Sequence, residues 1–331
     1  MGVIPCRWIQ GFTDKSFFAF VNNETVCYTA GSHICFLNVE TKIQHVFESS
    51  VRGIGALTAN GKSGIFAFSD HKLSPSIFVY NFKDFHLKNE LKGSAQLDYT
   101  SLALSDDGPY LACCSSLPDH IITVWNWEKG ERLCAEPEAG RDVISLVFNP
   151  LNCFQLCALG TTSLTLWNIE KSTNLHYLLR CRAIELPTTD GSFVEGLGSI
   201  SGIKGGMVET RLTPGAICWT QTSELYVGCT QGFLLLVNPE SLSVSVLFNP
   251  TCKQTLTQTI GCGRLLKTLM KILYNVLFYL CSAADAIPNF QWSQISITQT
   301  WQTEGPVSDV MHFPDSETLL LRSDRVRASI Y

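Results

Sequence analysis

Five short apolar stretches of the chain end on asparagine: HICFLN at 33–38, SIFVYN at 76–81, ITVWN at 122–126, SLTLWN at 163–168 and GFLLLVN at 232–238. Their terminal residues Asn38, Asn81, Asn126, Asn168 and Asn238 are spaced by 43, 45, 42 and 70 residues. A fixed period of this kind means one supersecondary unit copied along the chain. The third copy says what the unit contains. Its apolar residues Ile121, Ile122, Val124 and Trp125 occupy both faces, so they describe a short strand buried on both sides.

The surrounding residues complete the unit. Tyr99 to Ser105 reads as a strand, Asp106-Asp107-Gly108 as a tight turn and Tyr110 to Ser115 as a second strand. The Asn126 strand is third, Lys129-Gly130 is the exit turn, and a fourth strand starts at Glu131. Helical repeats of similar length need apolar residues at helical spacing, whereas these segments are dense in Val, Ile, Phe, Tyr and Trp between Gly, Asn, Asp and Pro. Four strands in 40–45 residues is the pattern of a WD-repeat blade, whose third strand usually ends in Trp-Asp. The expected fold is therefore all-β, a WD-repeat β-propeller with about five recognisable blades plus a partial last one. Residues 1–250 hold blades one to five. The Gly-His pairs on which the buried polar network of such repeats draws are missing here.

The period breaks twice. The interval of 70 residues leaves room for a loop insertion at about 181–215, rich in glycine and poor in apolar periodicity. Residues 251–290 form an atypical apolar segment in place of a blade. Within it, 264–284 carries Leu266, Leu269, Met270, Leu273, Val276 and Leu280 at helical spacing, so that piece is expected to be helical or irregular. It is long enough to cross a membrane, yet Lys267, Lys271 and Asn275 make spanning costly, and no membrane partner is expected. Residues 291–331 read as a partial final blade, with strands at 317–322 and 327–331.

Chemistry is hard to place on this chain. Net charge is −5, from 29 acidic and 24 basic residues without blocks, which gives no basic stripe for nucleic acid. The 14 cysteines fall inside apolar runs such as Val26-Cys27-Tyr28, with no CxxC pair, and read as buried thiols of a cytosolic protein. Neither HxH nor HExxH occurs among the seven histidines. Asp70-His71 and Asp119-His120 recur in the turns between second and third strands of adjacent blades, where turn residues with a histidine capping local carbonyls are expected. Gly196, Gly198 and Gly202 lack the strand and helix that a phosphate loop needs. No catalytic, cofactor-binding or metal-ligating residue is assigned, no cofactor is expected, and the protein is not read as an enzyme.

Several strings go beyond the repeat. AFSDHKLSPSIFVY at 67–80, LKG at 91–93, LDYT at 97–100, YLA at 110–112, SSLP at 115–118, WNWE at 125–128, DGSF at 190–193, CWT at 218–220 and LYVGC at 225–229 resemble the N-terminal propeller of the cilia- and flagella-associated protein 43 family. The resemblance runs from about residue 7 to 248, resumes at 305 and is absent over 251–290. It implies a structural scaffold of motile cilia and flagella, placed in the cytoskeleton of the axoneme. By the same resemblance its protein partners would be a second axonemal WD-repeat tether protein, an inner dynein arm and the doublet microtubule. Periodicity alone fits a general cytosolic WD-repeat adaptor equally well. Propeller loops carry contacts, and the insertion, especially 188–204, is the expected contact site.

Overall fold

The computed structural model describes residues 18–172, 177–188, 211–220, 222–231 and 233–248, and the backbone of 307–312, 319–323 and 328–330. All regular structure among them is β. Five antiparallel sheets of four strands follow one another, each paired strictly in chain order. The first holds β1 (Phe18–Phe20), β2 (Thr25–Ala30), β3 (His33–Asn38) and β4 (Gln44–Glu48); the second β5 (Ile54–Asn60), β6 (Ile65–Asp70), β7 (Ile77–Asn81) and β8 (Leu87–Leu91). The third holds β9 (Tyr99–Leu104), β10 (Tyr110–Ser115), β11 (Ile122–Asn126) and β12 (Glu131–Glu136). The fourth is β13 (Val143–Asn149), β14 (Asn152–Gly160), β15 (Leu164–Lys171) and β16 (Tyr177–Ala183), and the fifth β17 (Pro214–Trp219), β18 (Leu225–Cys229), β19 (Leu234–Val237) and β20 (Val244–Phe248). A sixth sheet has three strands, β21 (Val307–His312), β22 (Leu319–Ser323) and β23 (Ala328–Ile330).

The first strands lie closest together, β1 against β5, β5 against β9 and β9 against β13. Sheets whose inner strands converge in series are the blades of a β-propeller. The hydrophobic core is accordingly divided among the seams. Phe36 of blade one packs with Phe66 and Phe68 of blade two, and Ile77 and Val79 of blade two pack with Leu102 and Leu111 of blade three. Ile122 and Val124 join Phe148 and Leu156 between blades three and four, and Leu164 and Leu166 join Val227 and Leu235 between four and five. Ile122 and Val124 are fully buried while lying in the middle of a sheet, as their doubly apolar sequence requires. Each such side chain withdrawn from water contributes about 1.5–3 kcal/mol. Blade two adds an aromatic stack, with Phe66 and Tyr80 rings 5.6 Å apart and Phe68 and Phe78 5.4 Å apart.

Three sequence expectations change. Arg182 and Ala183 belong to β16 and Pro214 and Gly215 to β17, so the insertion is narrower than 181–215. Its base is ordered: Ile184, Leu186 and Leu212 are buried, Thr188 bridges Arg211, and the Leu212 amide donates to the Pro187 carbonyl at 2.9 Å. The stretch 189–210 lies outside the described residues, as do 251–290 and the helical expectation near 264–284. Asn168, expected to end its strand, lies inside β15, which continues to Lys171. Of the ten described cysteines, Cys181 is exposed and Cys153 and Cys218 are partly so, while the rest are buried.

Candidate interaction surfaces

The terminal asparagines act through their side chains. Asn126 Oδ1 accepts the Lys129 amide at 3.0 Å, Asn38 Oδ1 the Thr41 amide at 2.8 Å, Asn81 Oδ1 the Lys83 amide at 2.9 Å, and Asn238 Oδ1 the amides of Glu240 and Ser241 at 2.9 and 3.1 Å. Each closes an Asx turn that stops the third strand and starts the fourth, a task a short side chain with a carbonyl acceptor performs well. In blade four the Asn168 carboxamide instead accepts Gln155 Nε2 at 3.3 Å, and the strand runs on.

A second use of this turn ties blades together. In blades one to four the residue two before the terminal asparagine pairs, across the third and fourth strands, with His45, Asn89, Cys134 or Arg182. Asn89 Nδ2 donates across the seam to the carbonyls of Trp127 and Glu128 at 3.0 and 3.3 Å. Arg182, at the same position of blade four, donates to the carbonyls of Pro239 and Glu240 at 3.2 and 2.6 Å. His45 stacks on Phe85 with ring centres 5.0 Å apart. Gly130 sits under the Asn89 tether: its φ is +69°, and a Cβ there would lie 3.0 Å from Asn89 Nδ2.

On this rim the turns of blades two and three enclose a cleft of about 590 Å³, lined among others by Asn60, Lys88, Asp106, Pro109, Trp127 and Glu128. Asn60 Nδ2 donates across it to the Ser105 carbonyl at 2.6 Å. Burial raises the Asp106 carboxyl, against the opposing pull of Lys62 Nζ at 3.7 Å. The lining mixes both charges and presents no assembled nucleophile, base or metal cage. Gly108, in the expected turn, has φ +83° and lies under the Tyr110 ring.

The opposite rim is built on a repeated backbone latch. In blades two to five the first residue after the second strand donates its amide to the carbonyl just before the first strand of the same blade. The pairs are His71 to Gly53 at 3.0 Å, Ser116 to Asp98 at 2.9 Å, Thr161 to Asp142 at 3.1 Å and Thr230 to Thr213 at 2.9 Å. Here the two Asp-His pairs find their places. His71 Nδ1 meets the Asp98 carboxylate at 3.3 Å, joining blade two to the loop entering blade three, so it engages a side chain rather than the local carbonyl expected. Asp119 Oδ1 accepts Gln96 Nε2 at 3.0 Å, and the His120 carbonyl accepts the Gly140 amide at 2.7 Å. Both pairs are thus structural members of seams. In blade four Asp142 collects the Thr161 hydroxyl, the Thr162 amide at 3.0 Å and the Ser163 hydroxyl at 2.9 Å. Burial pushes its carboxyl up, but these hydrogen bonds outweigh that and bring it down to about 2.

The latch is made by backbone groups and needs no Gly-His pair. In blade three a smaller buried set joins it, Ser94 Oγ lying 2.6 Å from the Tyr99 hydroxyl and 3.6 Å from Cys113 Sγ. Burial pushes the Cys113 thiol up to about 12, so it stays protonated. Among the described residues no three His, Cys, Asp or Glu side chains cluster as metal ligands, and no helix is long and apolar enough to cross a membrane. What the rim does offer is apolar: Leu73, Leu97 and Leu117 are 77, 44 and 62 % exposed on adjoining turns.

Comparison with known proteins follows the blades. The family model described as the CFAP43 N-terminal domain matches residues 8–152. Over this stretch the chain is similar to the CFAP43 N-terminal domain family. Beyond it, the chain is 32 % identical to mouse cilia- and flagella-associated protein 43 and 31 % identical to the Xenopus laevis protein of that name, over 99 % of its own length in each case. Those alignments take in 251–290, where the sequence alone revealed no likeness. Mouse cilia- and flagella-associated protein 44 is 27 % identical over 45 % of the chain and 8 % of that protein. The chain spans about a fifth of the length of the CFAP43 relatives, 21 and 22 %. Among solved structures, the Swd1 β-propeller domain of Myceliophthora thermophila matches 59 % of this chain and 54 % of its own at 15 % identity, with a TM-score of 0.43. At that level it carries no argument, and the propeller assignment rests on strand order and inter-blade packing.

Proposed function

We propose that the chain is a non-enzymatic propeller scaffold of motile cilia and flagella, which helps organise the axoneme and tether inner dynein arms. The supporting observation is the 32 % identity to a cilia- and flagella-associated protein that extends along 99 % of the chain. Physical chemistry agrees with a scaffold. Blades tied in series by seam hydrogen bonds hold their two rims in fixed relation, which suits a tether that must bear load while contacting more than one partner. The proposed partners are a second WD-repeat tether protein related to cilia- and flagella-associated protein 44, an inner dynein arm and the doublet microtubule.

Tagged chain expressed in multiciliated cells tests the reading. Signal along the axoneme that persists after detergent removal of the membrane is the expected result. Diffuse cytosolic signal in ciliated cells overturns it in favour of a general WD-repeat adaptor.

A further inference from the structure

Blade four departs from the other four-stranded blades in one direction. Its third strand runs past Asn168 to Lys171, and its outer strand β16 has seven residues, against five in β4, β8 and β20 and six in β12. The β15–β16 register is unbroken from Thr165↔Ala183 to Lys171↔Tyr177, whereas β8, β12 and β20 each pair with a register shift. β4 pairs without a shift but is short and closes on Glu48. An outer strand carries a row of backbone N–H and C=O groups with no sheet partner, and proteins blunt such edges by shortness, bulges and charge. Lys88 and Glu90 do so on β8, and Glu131, Arg132 and Glu136 on β12.

β16 lacks these devices except for charge of one sign. Its charged residues are Arg180 and Arg182, and it contains no carboxylate. Arg182 is anchored to the carbonyls of blade five. Arg180 Nε bonds Glu170 at 2.7 Å while the side chain stays 69 % exposed, leaving the outer face of the guanidinium open to a second carboxylate. Leu178 is 52 % exposed beside it.

We propose that the outer edge of β16 docks an extended acidic segment of a partner protein, which adds to blade four as a fifth strand. Main-chain hydrogen bonds along the seven-residue edge would supply the binding, and the cationic edge would select carboxylates over ammonium groups. The inference rests on blade four alone, so failure of axonemal localisation would leave it standing.

Hydrogen–deuterium exchange of the full chain tests it with two synthetic probes, acetyl-Thr-Val-Glu-Val-Glu-Val-Thr-amide and the same peptide with Lys for Glu. The acidic probe should slow exchange of amides within 177–183 by about tenfold, with little change from the basic probe. Arg180→Glu should reverse the preference, and Leu178→Glu, which puts a carboxylate on the edge, should weaken protection by the acidic probe; unchanged thermal unfolding verifies that both variants fold. Absence of protection at 177–183, equal protection by both probes, equal protection of β8 or β12, or peptide-independent protection that grows with protein concentration would each overturn the proposal.

Discussion

Asn89 and Trp127 belong to different blades, yet the side-chain amide of the first is bonded to the main-chain carbonyl of the second at 3.0 Å. The contact depends on three sequence choices at once: an amide at position 89, an Asx turn begun by Asn126, and a glycine at 130 that leaves room for the amide. Asn89→Ala should lower the free energy of unfolding by about 1 kcal/mol, and Arg182→Ala by about 1–2 kcal/mol because its donor is charged. Gly130→Ala should cost about 1 kcal/mol or more through its positive φ and the crowding of Asn89. Equilibrium denaturation in urea measures all three.

The terminal asparagines should not be equivalent. Asn126→Ala removes the acceptor for the Lys129 amide and should cost about 1 kcal/mol, whereas Asn126→Asp keeps the acceptor and should stay within about 0.5 kcal/mol of the parent. Asn168→Ala should cost less than Asn126→Ala, because in blade four the carboxamide oxygen accepts Gln155 Nε2 at 3.3 Å and closes no turn. Side-by-side melting curves of these variants would expose the difference.

Asp142 should make the fold acid-sensitive. Its carboxyl titrates at about 2 in the folded chain against 3.8 for a free side chain. A carboxyl depressed by folding contributes stability in full above its unfolded pKa, and loses it as pH falls through the folded one. The contribution should therefore fade between about pH 4 and pH 2. Asp142→Asn should be less stable than the parent at pH 7 and should show a flatter acid limb in unfolding measured against pH.

Residues 189–210 should be removable without unfolding the propeller. The base of the insertion is closed by the Thr188–Arg211 bridge, the Glu185–Arg211 ion pair and the Gln231 side chain on Thr213. Replacing 189–210 by a short Gly-Ser linker should leave the thermal midpoint unchanged, as read by circular dichroism. A contact site within 189–210 predicts that the same variant loses partner pull-down.

The blades were legible in the sequence because a third strand buried on both sides carries apolar residues on both faces, and because the turn after it favours an Asx acceptor. Both demands act locally and leave a fixed mark, so Ile122 to Asn126 could be placed to the residue. The seam tethers could not be read the same way. His45, Asn89, Cys134 and Arg182 occupy one structural position with four different chemistries, and their register appears only once the fourth strands are paired. The latch to Gly53, Asp98, Asp142 and Thr213 runs through backbone atoms, which leave no signature in residue identity. Asn168 misled for a related reason: the pattern recorded the asparagine but not that Gln155 would claim it.

The division of the core among the seams bears on where this chain can be cut. The family model stops at residue 152, the first residue of β14, after a single complete strand of blade four. A fragment ending there would keep Leu146 and Phe148 but lose Leu156, Ala158 and Trp167, which complete their cluster. Its neighbour, blade three, would then turn Ile122 and Val124 toward water. A unit of sequence recognition and a unit of folding therefore do not coincide in this protein. Fragments for expression are best ended between blades, with the newly uncovered apolar face made polar by substitution.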